Sequence, residues 1–295
     1  MVLQGLILAL LSSVFFGGNH AAARRGLVKG DVYAGVLLTL SLGLPGFFAL
    51  AWSTGELSQL PGLPSLALGY FMLAGILHFV VGRTLTYASL QQIGTTRTSP
   101  IVGTNTLYTV VLAIVFLGEP ASLKVITAAL LVVAGVILLS RQDHANGNGS
   151  VSVKSYGVAY SLVAGFIFGV TPLLVRAGLL LAPLPALSAT ISYAVALSLY
   201  SLGLLSPSRR KTTSRGTITY PFLLAAISVN LGQILRYYAL NLAPASVAST
   251  IINAFPLFAL IFAYPGRRGL ETYSRSVLGG ASLILIGVNL IYLAP

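Results

Sequence analysis

Two stretches of this chain carry the same pattern: GLILALLSSVFFGGNHAAARRG at residues 5–26 and GVAYSLVAGFIFGVTPLLVRAG at residues 157–178. Both are mainly apolar, and about 20 apolar residues suffice for a helix to cross the hydrocarbon core of a bilayer. They align at an offset of 152 residues, which indicates an internal repeat of membrane spans. The identical positions are Gly5 and Gly157, Leu10 and Leu162, Phe16 and Phe168, Gly17 and Gly169, Arg24 and Arg176, and Gly26 and Gly178.

Two further segments align at nearly the same offset. Residues 129–138 align with residues 281–290 at an offset of 152, and residues 82–107 align with residues 232–257 at an offset of 150. Chance identities of Leu, Ile and Gly are common in apolar sequence, so the constancy of the offset indicates the repeat more strongly than any one identity. The matching pairs are Ala129 and Ala281, Leu131 and Leu283, Gly135 and Gly287, Val136 and Val288, Leu138 and Leu290, Gly82 and Gly232, Tyr87 and Tyr237, Ser99 and Ser249, Ile101 and Ile251, and Leu107 and Leu257.

The composition excludes a soluble protein. Of 295 residues, 56% are hydrophobic and 7% are charged, against about a quarter charged in soluble domains. The absence of cysteine excludes disulfides, thiolate metal sites and cysteine nucleophiles. The net charge of +12 lies mostly between apolar runs, which indicates membrane topology and not a nucleic-acid partner. We therefore expect the lipid bilayer as partner, and neither a cofactor nor a metal.

The apolar runs predict ten membrane spans joined by short connections. Residues 1–140 form a first five-span repeat, the Asn/Gly/Ser-rich residues 141–155 a linker, and residues 156–295 a second repeat. Because five is odd, the second repeat enters the membrane from the opposite side. The predicted fold is an all-α integral membrane protein with two inverted five-helix repeats around a central cavity, as in secondary transporters. The expected spans are 3–22, 32–53, 66–90, 98–118, 122–140, 156–176, 184–205, 219–241, 246–264 and 274–293.

Three segments of the first repeat carry a family resemblance. They read TYASLQQIG from Thr86, TSPIVGTNTLYTVVLAIVFLGEP from Thr98 and AALLVVAGVILL from Ala128. This pattern resembles the EamA family of the drug/metabolite transporter superfamily, over essentially the whole chain. The resemblance implies a metabolite transporter in which spans 1, 3, 4, 6, 8 and 9 surround the cavity. The second repeat departs from it, since Pro265-Gly266-Arg267 stands where Gly118-Glu119 would recur.

Polar residues inside the spans are the candidates for substrate binding, because an unpaired polar group in hydrocarbon costs several kcal/mol. Spans 3 and 8 carry matching polar stripes at helical spacing, which favours a cavity between the repeats. The alternative is that these side chains only bond neighbouring helices. The candidates are His78, Arg83, Tyr87, Gln91, Asn105, Tyr108, Asn230, Gln233, Tyr237 and Asn253.

Three prolines within the spans are candidate hinges: Pro100, Pro172 and Pro256. Proline removes a backbone donor and frees a carbonyl in the preceding turn. A static kink that improves packing is the alternative. Small residues spaced four apart, at Ser13 and Gly17, and at Gly165 and Gly169, predict close packing of spans 1 and 6 at the repeat interface.

Arg83 and Arg236 lie mid-span, whereas all five acidic residues lie at span ends or in connections. A buried arginine needs an anion or several carbonyls, so we expect Arg83 to bind a carboxylate or phosphate of the substrate. Snorkelling to the interface is the competing account, and is stronger for Arg236. The substrate is expected to be a small anionic or zwitterionic metabolite such as an amino acid.

The lack of an intramembrane carboxylate favours facilitated diffusion. If protons are coupled to transport, His20 and His78 are the titratable candidates near neutral pH. Connections after the odd-numbered spans hold 13 Lys and Arg, against two on the other side. The positive-inside rule therefore places both termini outside the plasma membrane, whereas the family resemblance implies cytoplasmic termini. Either a monomer or a homodimer agrees with the sequence.

Two other functions remain open at this stage. An intramembrane enzyme needs paired carboxylates, a Ser/His dyad or a metal cluster, and the sequence supplies none of these patterns, so no enzymatic activity is expected. A channel or a passive scaffold is the other alternative. Conductance would identify a channel, whereas saturable exchange would identify a carrier.

Overall fold

A computed structural model describes residues 2–27, 31–120, 122–140, 155–205, 219–263 and 275–292. Every regular element in these ranges is helical. Within the described ranges, six segments are long and apolar enough to cross a membrane, and three shorter apolar helices accompany them. The prediction of an all-helical, multi-pass membrane protein is confirmed. The helices are α1 (Val2–Leu27), α2 (Val32–Ser53), α3 (Ser65–Gly75), α4 (Arg83–Gly103), α5 (Asn105–Leu117), α6 (Leu123–Ser140), α7 (Ser155–Leu181), α8 (Pro185–Leu202), α9 (Tyr220–Leu242), α10 (Ala245–Ile252), α11 (Phe255–Ala263) and α12 (Arg275–Tyr292).

Two acidic side chains cap the N-termini of helices. Each accepts a hydrogen bond from a backbone amide in the first turn of the helix. Asp31 is the N-cap of α2, and its Oδ1 accepts a hydrogen bond from Ala34 N at 3.0 Å. Glu56 lies in the 3₁₀ turn after α2, yet its Oε2 accepts from Leu187 N at 2.9 Å in the first turn of α8. A negative charge at a helix N-terminus also interacts favourably with the positive end of the helix dipole.

A third acid joins the ends of α5 and α10. Gly118 ends α5 with φ of +64°, a left-handed conformation that glycine adopts without strain. The turn presents Glu119 to α10, where its two carboxylate oxygens accept from Ala245 N at 2.6 Å and Ser246 N at 3.1 Å. The Gly-Glu pair that ends span 4 thus has a structural reason: it holds the start of span 9.

Most helices pack on helices from the other half of the chain. α1 packs against α9, α10 and α11, and α7 packs against α3, α4 and α5. α2 packs against α8, and α6 packs against α12. If each helix is replaced by its counterpart in the other half, the same set of contacts is obtained: the contacts of α1 become those of α7, and the α2–α8 and α6–α12 contacts are unchanged.

The small residues of spans 1 and 6 lie at these contacts between halves. A side chain at Gly17 would meet Phe258 Cβ of α11 at 2.5 Å, and one at Gly169 would meet Tyr108 Cβ of α5 at 2.5 Å. Glycine is what allows the backbones to approach so closely. The prediction that these residues pack span 1 against span 6 is therefore wrong at Gly17 and Gly169: span 1 packs on span 9 there, and span 6 packs on span 4.

Spans 4 and 9 both break at one point. At Thr104, the backbone amide bonds to Ile101 O at 3.3 Å and the carbonyl accepts from Leu107 N at 3.0 Å. The same three-residue bonds recur 150 residues later at Ala254, with Ile251 and Leu257 as partners, at 3.1 and 3.0 Å. The expected gap between residues 90 and 98 is absent, since α4 continues to Gly103 and the chain breaks only at Thr104.

Span 3 contains a π-helical turn at residues 76–82, between α3 and α4. One glycine precedes the turn and another ends it. A Cβ at Gly75 would overlap Ser192 O of α8, and one at Gly82 would meet the Phe168 ring of α7 at 2.6 Å. Such turns are frequent at functional sites. α9, the repeat counterpart, is regular throughout, so the two halves differ here.

Candidate functional site

A hydrogen-bonded network links the π turn to α7 and α9. Arg236 Nη1 donates to Gln233 Oε1 at 3.1 Å, so the amide nitrogen of Gln233 faces His78 Nε2 at 3.0 Å and donates to it. The imidazole proton then lies on Nδ1, which donates to Thr171 Oγ1 at 3.0 Å. The hydroxyl of Thr171 also accepts from Arg236 Nη2 at 3.4 Å. His78 is neutral in this arrangement, because its Nε2 is an acceptor.

Arg83 begins the helix that follows the π turn. Its side chain is 5% exposed, and its guanidinium lies over the Phe79 ring, 5.0 Å from the centroid. The Nη1 group is buried and has no hydrogen-bond partner among the described residues. A guanidinium carries five N–H donors and no acceptor, so this end of Arg83 is available to an anionic acceptor.

Side chains from α2 and α8 pack beside Phe79 and the hydrogen-bonded network. The hydroxyl of Tyr193 donates to Asn230 Oδ1 at 2.9 Å, and Asn230 Nδ2 donates to Thr39 O at 3.1 Å. The ring of Tyr193 packs at 4.4 Å from both Phe79 and Phe47, centroid to centroid. Spans 2 and 7 therefore also contribute side chains beside this network, in addition to the spans that the family resemblance implies.

We call the buried group around the two guanidiniums the paired-arginine cluster. Arg236 is 4% exposed. The charged and titratable side chains around it include Arg83, His78, Tyr193 and Tyr237, and none of these supplies a negative charge while the tyrosines are neutral. Among the described residues, no group of three or more His, Asp and Glu is placed to hold a metal ion. The members of the cluster are His78, Phe79, Arg83, Thr171, Tyr193, Gln233 and Arg236.

About half of the predicted site residues lie in or beside this cluster. Tyr237 lies under the Arg236 guanidinium, 5.8 Å from the ring centroid. Tyr87 is buried one turn after Arg83, and within electrostatic range of Tyr193. The predicted residues that the structure brings together are His78, Arg83, Tyr87, Asn230, Gln233 and Tyr237.

The other four predicted residues lie elsewhere. Gln91 is at an exposed position of α4. Tyr108 is 37% exposed, and its ring packs edge-on against Phe166 at 5.8 Å. Asn105 is buried at the start of α5, where its Oδ1 accepts from Thr106 Oγ1 at 3.4 Å. Asn253 is buried at the break between α10 and α11.

The three candidate hinges have different surroundings. Pro256 is the second residue of α11, directly after the break of span 9. Pro100 lies four residues before the break of span 4, and Pro172 lies inside α7, which runs as one helix. Because the break at Thr104 matches that at Ala254 without a proline at the equivalent position, proline alone does not explain the breaks. Whether the three sites bend during transport stays a prediction.

Three members of the site are not evident from the sequence. Arg236 was expected to snorkel, but it is buried and bonded to Gln233 and Thr171. Thr171 stands out in the sequence only as the neighbour of Pro172, and no pattern singles out Tyr193. One available signal is the Gly-x₆-Gly spacing of Gly75 and Gly82, which marks the π turn.

Comparisons with known proteins agree with this architecture. The sequence model of the EamA-like transporter family matches residues 3–141 and 155–293. No curated protein matches this chain. A crystal structure of another protein superimposes with a TM-score of 0.75 at 14% sequence identity, over 98% of this chain and 96% of the other, which establishes similarity of fold alone. Since the family match spans nearly the whole sequence in two copies, the chain belongs to the EamA-like transporter family, whose members are membrane transporters.

Proposed function

We propose that this protein is a secondary carrier that moves a small metabolite bearing a carboxylate or phosphate group by alternating access. One observation carries the proposal: Arg83 is buried within the helix bundle, and one of its guanidinium nitrogens has no hydrogen-bond partner among the described residues. Leaving a buried charged donor unpaired costs several kcal/mol. A substrate anion would remove that cost when it binds.

The proposed carrier has ten spans in two inverted halves around a central cavity. The exchange of packing partners between halves supports this, as does the matching break at Thr104 and Ala254. Inverted repeats allow one half to rock against the other around a fixed midplane site. The paired-arginine cluster draws side chains from both halves, as such a site requires.

Counterflow in liposomes tests the proposal. Vesicles preloaded with unlabelled metabolite should accumulate the labelled form, saturably, with wild-type protein. Arg83→Lys keeps the charge but not the planar fork, and Arg83→Gln removes both, so uptake should fall in the first and fall further in the second. Arg25→Gln, at an exposed position of α1, is the control. Undiminished uptake in both Arg83 variants, or ion conductance without saturation, would contradict the carrier.

We further propose that transport is facilitative. The three described acids that cap helices sit at helix N-termini and not in the cluster, and His78 is held neutral by its two hydrogen bonds. An imposed pH gradient should therefore leave the counterflow rate unchanged. A rate that follows the gradient would overturn this, and would direct attention to His20 and His78.

The charge asymmetry supports termini outside the plasma membrane. Gly62 lies after the second proposed span and Leu205 lies at the end of the seventh, so the proposal places them on opposite sides of the membrane. Both positions are exposed, and the native chain has no cysteine. A membrane-impermeant maleimide applied to cells should label Gly62→Cys and not Leu205→Cys. The reverse pattern would place the termini in the cytoplasm.

A further inference from the structure

We propose that the substrate is an oxyanion with two negative charges, a dicarboxylate or a phosphate monoester, held between Arg83 and Arg236. This inference rests on the proposed carrier function and narrows its substrate class. It also assigns a binding role to Arg236, for which the sequence favours snorkelling. The charge of the cluster, its hydrogen-bond donors and the fit of competing ligands all point to a dianion.

The cluster holds two positive charges and no counter-charge from the described residues around it. Arg83 and Arg236 are 5% and 4% exposed. Arg236 bonds to Gln233, which bonds to His78, and the His78 ring packs against the Phe79 ring that lies under Arg83. Burial removes hydration from each ion, and two like charges in a region of low dielectric repel. The described acids Asp31, Glu56 and Glu119 are engaged at helix N-termini. Counted over the residues that the structure describes, the site without ligand therefore carries a charge of +2, which a dianion would neutralise.

The two guanidiniums of the cluster can donate hydrogen bonds to the oxygen atoms of an anion. Arg83 has its unbonded Nη1, and its planar fork can present two parallel N–H groups to one carboxylate or phosphate. Arg236 is oriented by the neutral acceptors Gln233 and Thr171, which fix its position and leave its charge uncompensated. In the proposed site, Arg83 binds one end of a dicarboxylate and Arg236 binds the other, or both bind one phosphate.

Zwitterions fit the cluster less well than dianions. An amino acid has no net charge, so it would leave the site at +2 and add an ammonium near two guanidiniums. Aromatic faces could hold an ammonium, but Phe79 already lies under Arg83 and Tyr237 under Arg236. A monoanion would leave one charge unpaired. The expected order of affinity is dianion, then monoanion, then zwitterion.

Thermal unfolding of the full-length protein in a non-ionic detergent tests this order. The probes are succinate and inorganic phosphate as dianions, acetate as monoanion, alanine as zwitterion and succinamide as neutral analogue. All are measured at constant ionic strength and at a pH of about 7.5, where phosphate is mainly the dianion. A ligand that binds only the folded state raises Tm as its occupancy rises. Succinate or phosphate should raise Tm saturably, acetate weakly, and alanine and succinamide not at all.

Variants assign the effect to the two arginines. Arg83→Gln and Arg236→Gln should each weaken the dianion at least about tenfold, as expected for loss of a charge-assisted hydrogen bond, and Arg25→Gln should leave it unchanged. If a glutamine variant fails to fold, Arg83→Lys and Arg236→Lys keep the charge, and should lower the affinity while preserving the size-exclusion profile. Repeating the measurement in phosphatidylcholine vesicles, with and without added phosphatidic acid, separates a free dianion from a lipid phosphate. If stabilisation requires phosphatidic acid, the bound group is a lipid phosphate, and the proposal of a soluble dianionic substrate is wrong.

Two results would overturn the inference outright: stabilisation by alanine equal to that by both dianions, or dianion binding unchanged in both glutamine variants. Counterflow distinguishes this failure from failure of the carrier. Saturable exchange of alanine without exchange of succinate or phosphate would refute the dianion and leave the carrier intact. Dianion binding that depends on both arginines, without counterflow of any probe, would refute the carrier and leave the anion site intact.

Discussion

At Gly43, α2 passes too close to α8 and α9 for any side chain to fit. An added Cβ would lie 2.5 Å from Tyr193 Cε1 and 2.6 Å from Asn230 Oδ1. Both neighbours are hydrogen-bonded to each other, so neither can move without loss. Gly43→Ala should therefore destabilise the protein by about 1–3 kcal/mol, the usual cost of overpacking, seen as a lower Tm in detergent.

A matched control lies one turn further along the same helix. A Cβ added at Gly46 would have no described atom within 4 Å, and alanine is the better helix former by about 1 kcal/mol. Gly46→Ala should thus hold or raise Tm. Equal effects at the two positions would show that helix propensity, and not the contact with Tyr193, decides the outcome.

Single residues also decide the chemistry of the paired-arginine cluster. Arg83 and Gln233 are repeat counterparts, 150 residues apart, yet one is charged and the other positions a second charge. The repeat in the sequence is therefore not a repeat of the chemistry. What each half contributes depends on side chains that differ between the copies.

Among the elements, α10 depends on a carboxylate supplied from the other half of the chain. Glu119 accepts from the first two amides of α10, and from the hydroxyl of Ser246. Glu119→Gln loses the charge and one acceptor oxygen, and should lower the free energy of unfolding by about 1 kcal/mol. Lys124→Gln, an exposed charge change nearby, should have little effect on Tm. A Glu119→Gln protein as stable as wild type would contradict the capping role.

The cap of α8 should make stability depend on pH. Burial raises the pKa of Glu56 above its ordinary value, and hydrogen bonds from Leu187, Ala186, Tyr238 and Thr54 offset only part of that effect. The folded protein therefore keeps this proton at a pH where the unfolded chain has lost it. The contribution of Glu56 to stability is greatest below the ordinary pKa of about 4.3, and falls as pH rises through the folded pKa.

The measurement compares Tm of wild type and Glu56→Gln across this pH range. The wild-type curve should fall more steeply with rising pH than the curve of the variant, because glutamine does not titrate. Other carboxyl groups contribute equally to both curves and cancel in the difference. Parallel curves would mean that Glu56 has the same pKa in the folded and unfolded states.

For the whole molecule, packing between halves makes a prediction that requires no substrate. A Cβ at Gly18 of α1 would lie 3.9 Å from Ser228 Cβ of α9, within the usual range for a disulfide, about 3.5–4.5 Å. Gly18→Cys with Ser228→Cys should form a disulfide on mild oxidation, seen as a reversible gel shift, and should raise Tm.

The control pairs Ser228→Cys with Gly69→Cys, since a Cβ added at Gly69 would have no described atom within 4 Å. This pair should keep two free thiols. Free thiols in the Gly18 pair under the same oxidation would contradict the packing of α1 on α9. A disulfide in both pairs would indicate unspecific oxidation.

The sequence by itself determined the solvent, the class and the family. Each apolar run is a local feature of the sequence, and in lipid such a run can form few structures other than a helix. The all-helical membrane class therefore followed from composition and from the length of the runs. The motifs of spans 3 to 5 carry the EamA resemblance, which the family match confirms. The helical spacing of Asn230, Gln233 and Tyr237 also indicated the face of α9 that lies at the cluster.

Only the tertiary structure decided which polar side chains meet. In a regular α-helix, His78 and Arg83 would point about 140° apart, since each residue turns about 100°; the π turn changes that phase. The turn depends on close approach of α7 and α8 at two glycines, which no local pattern encodes. The burial of Arg236 likewise depends on Thr171 from α7. Helix formation is a property of the segment, whereas the direction a side chain takes is fixed by the helices packed around it.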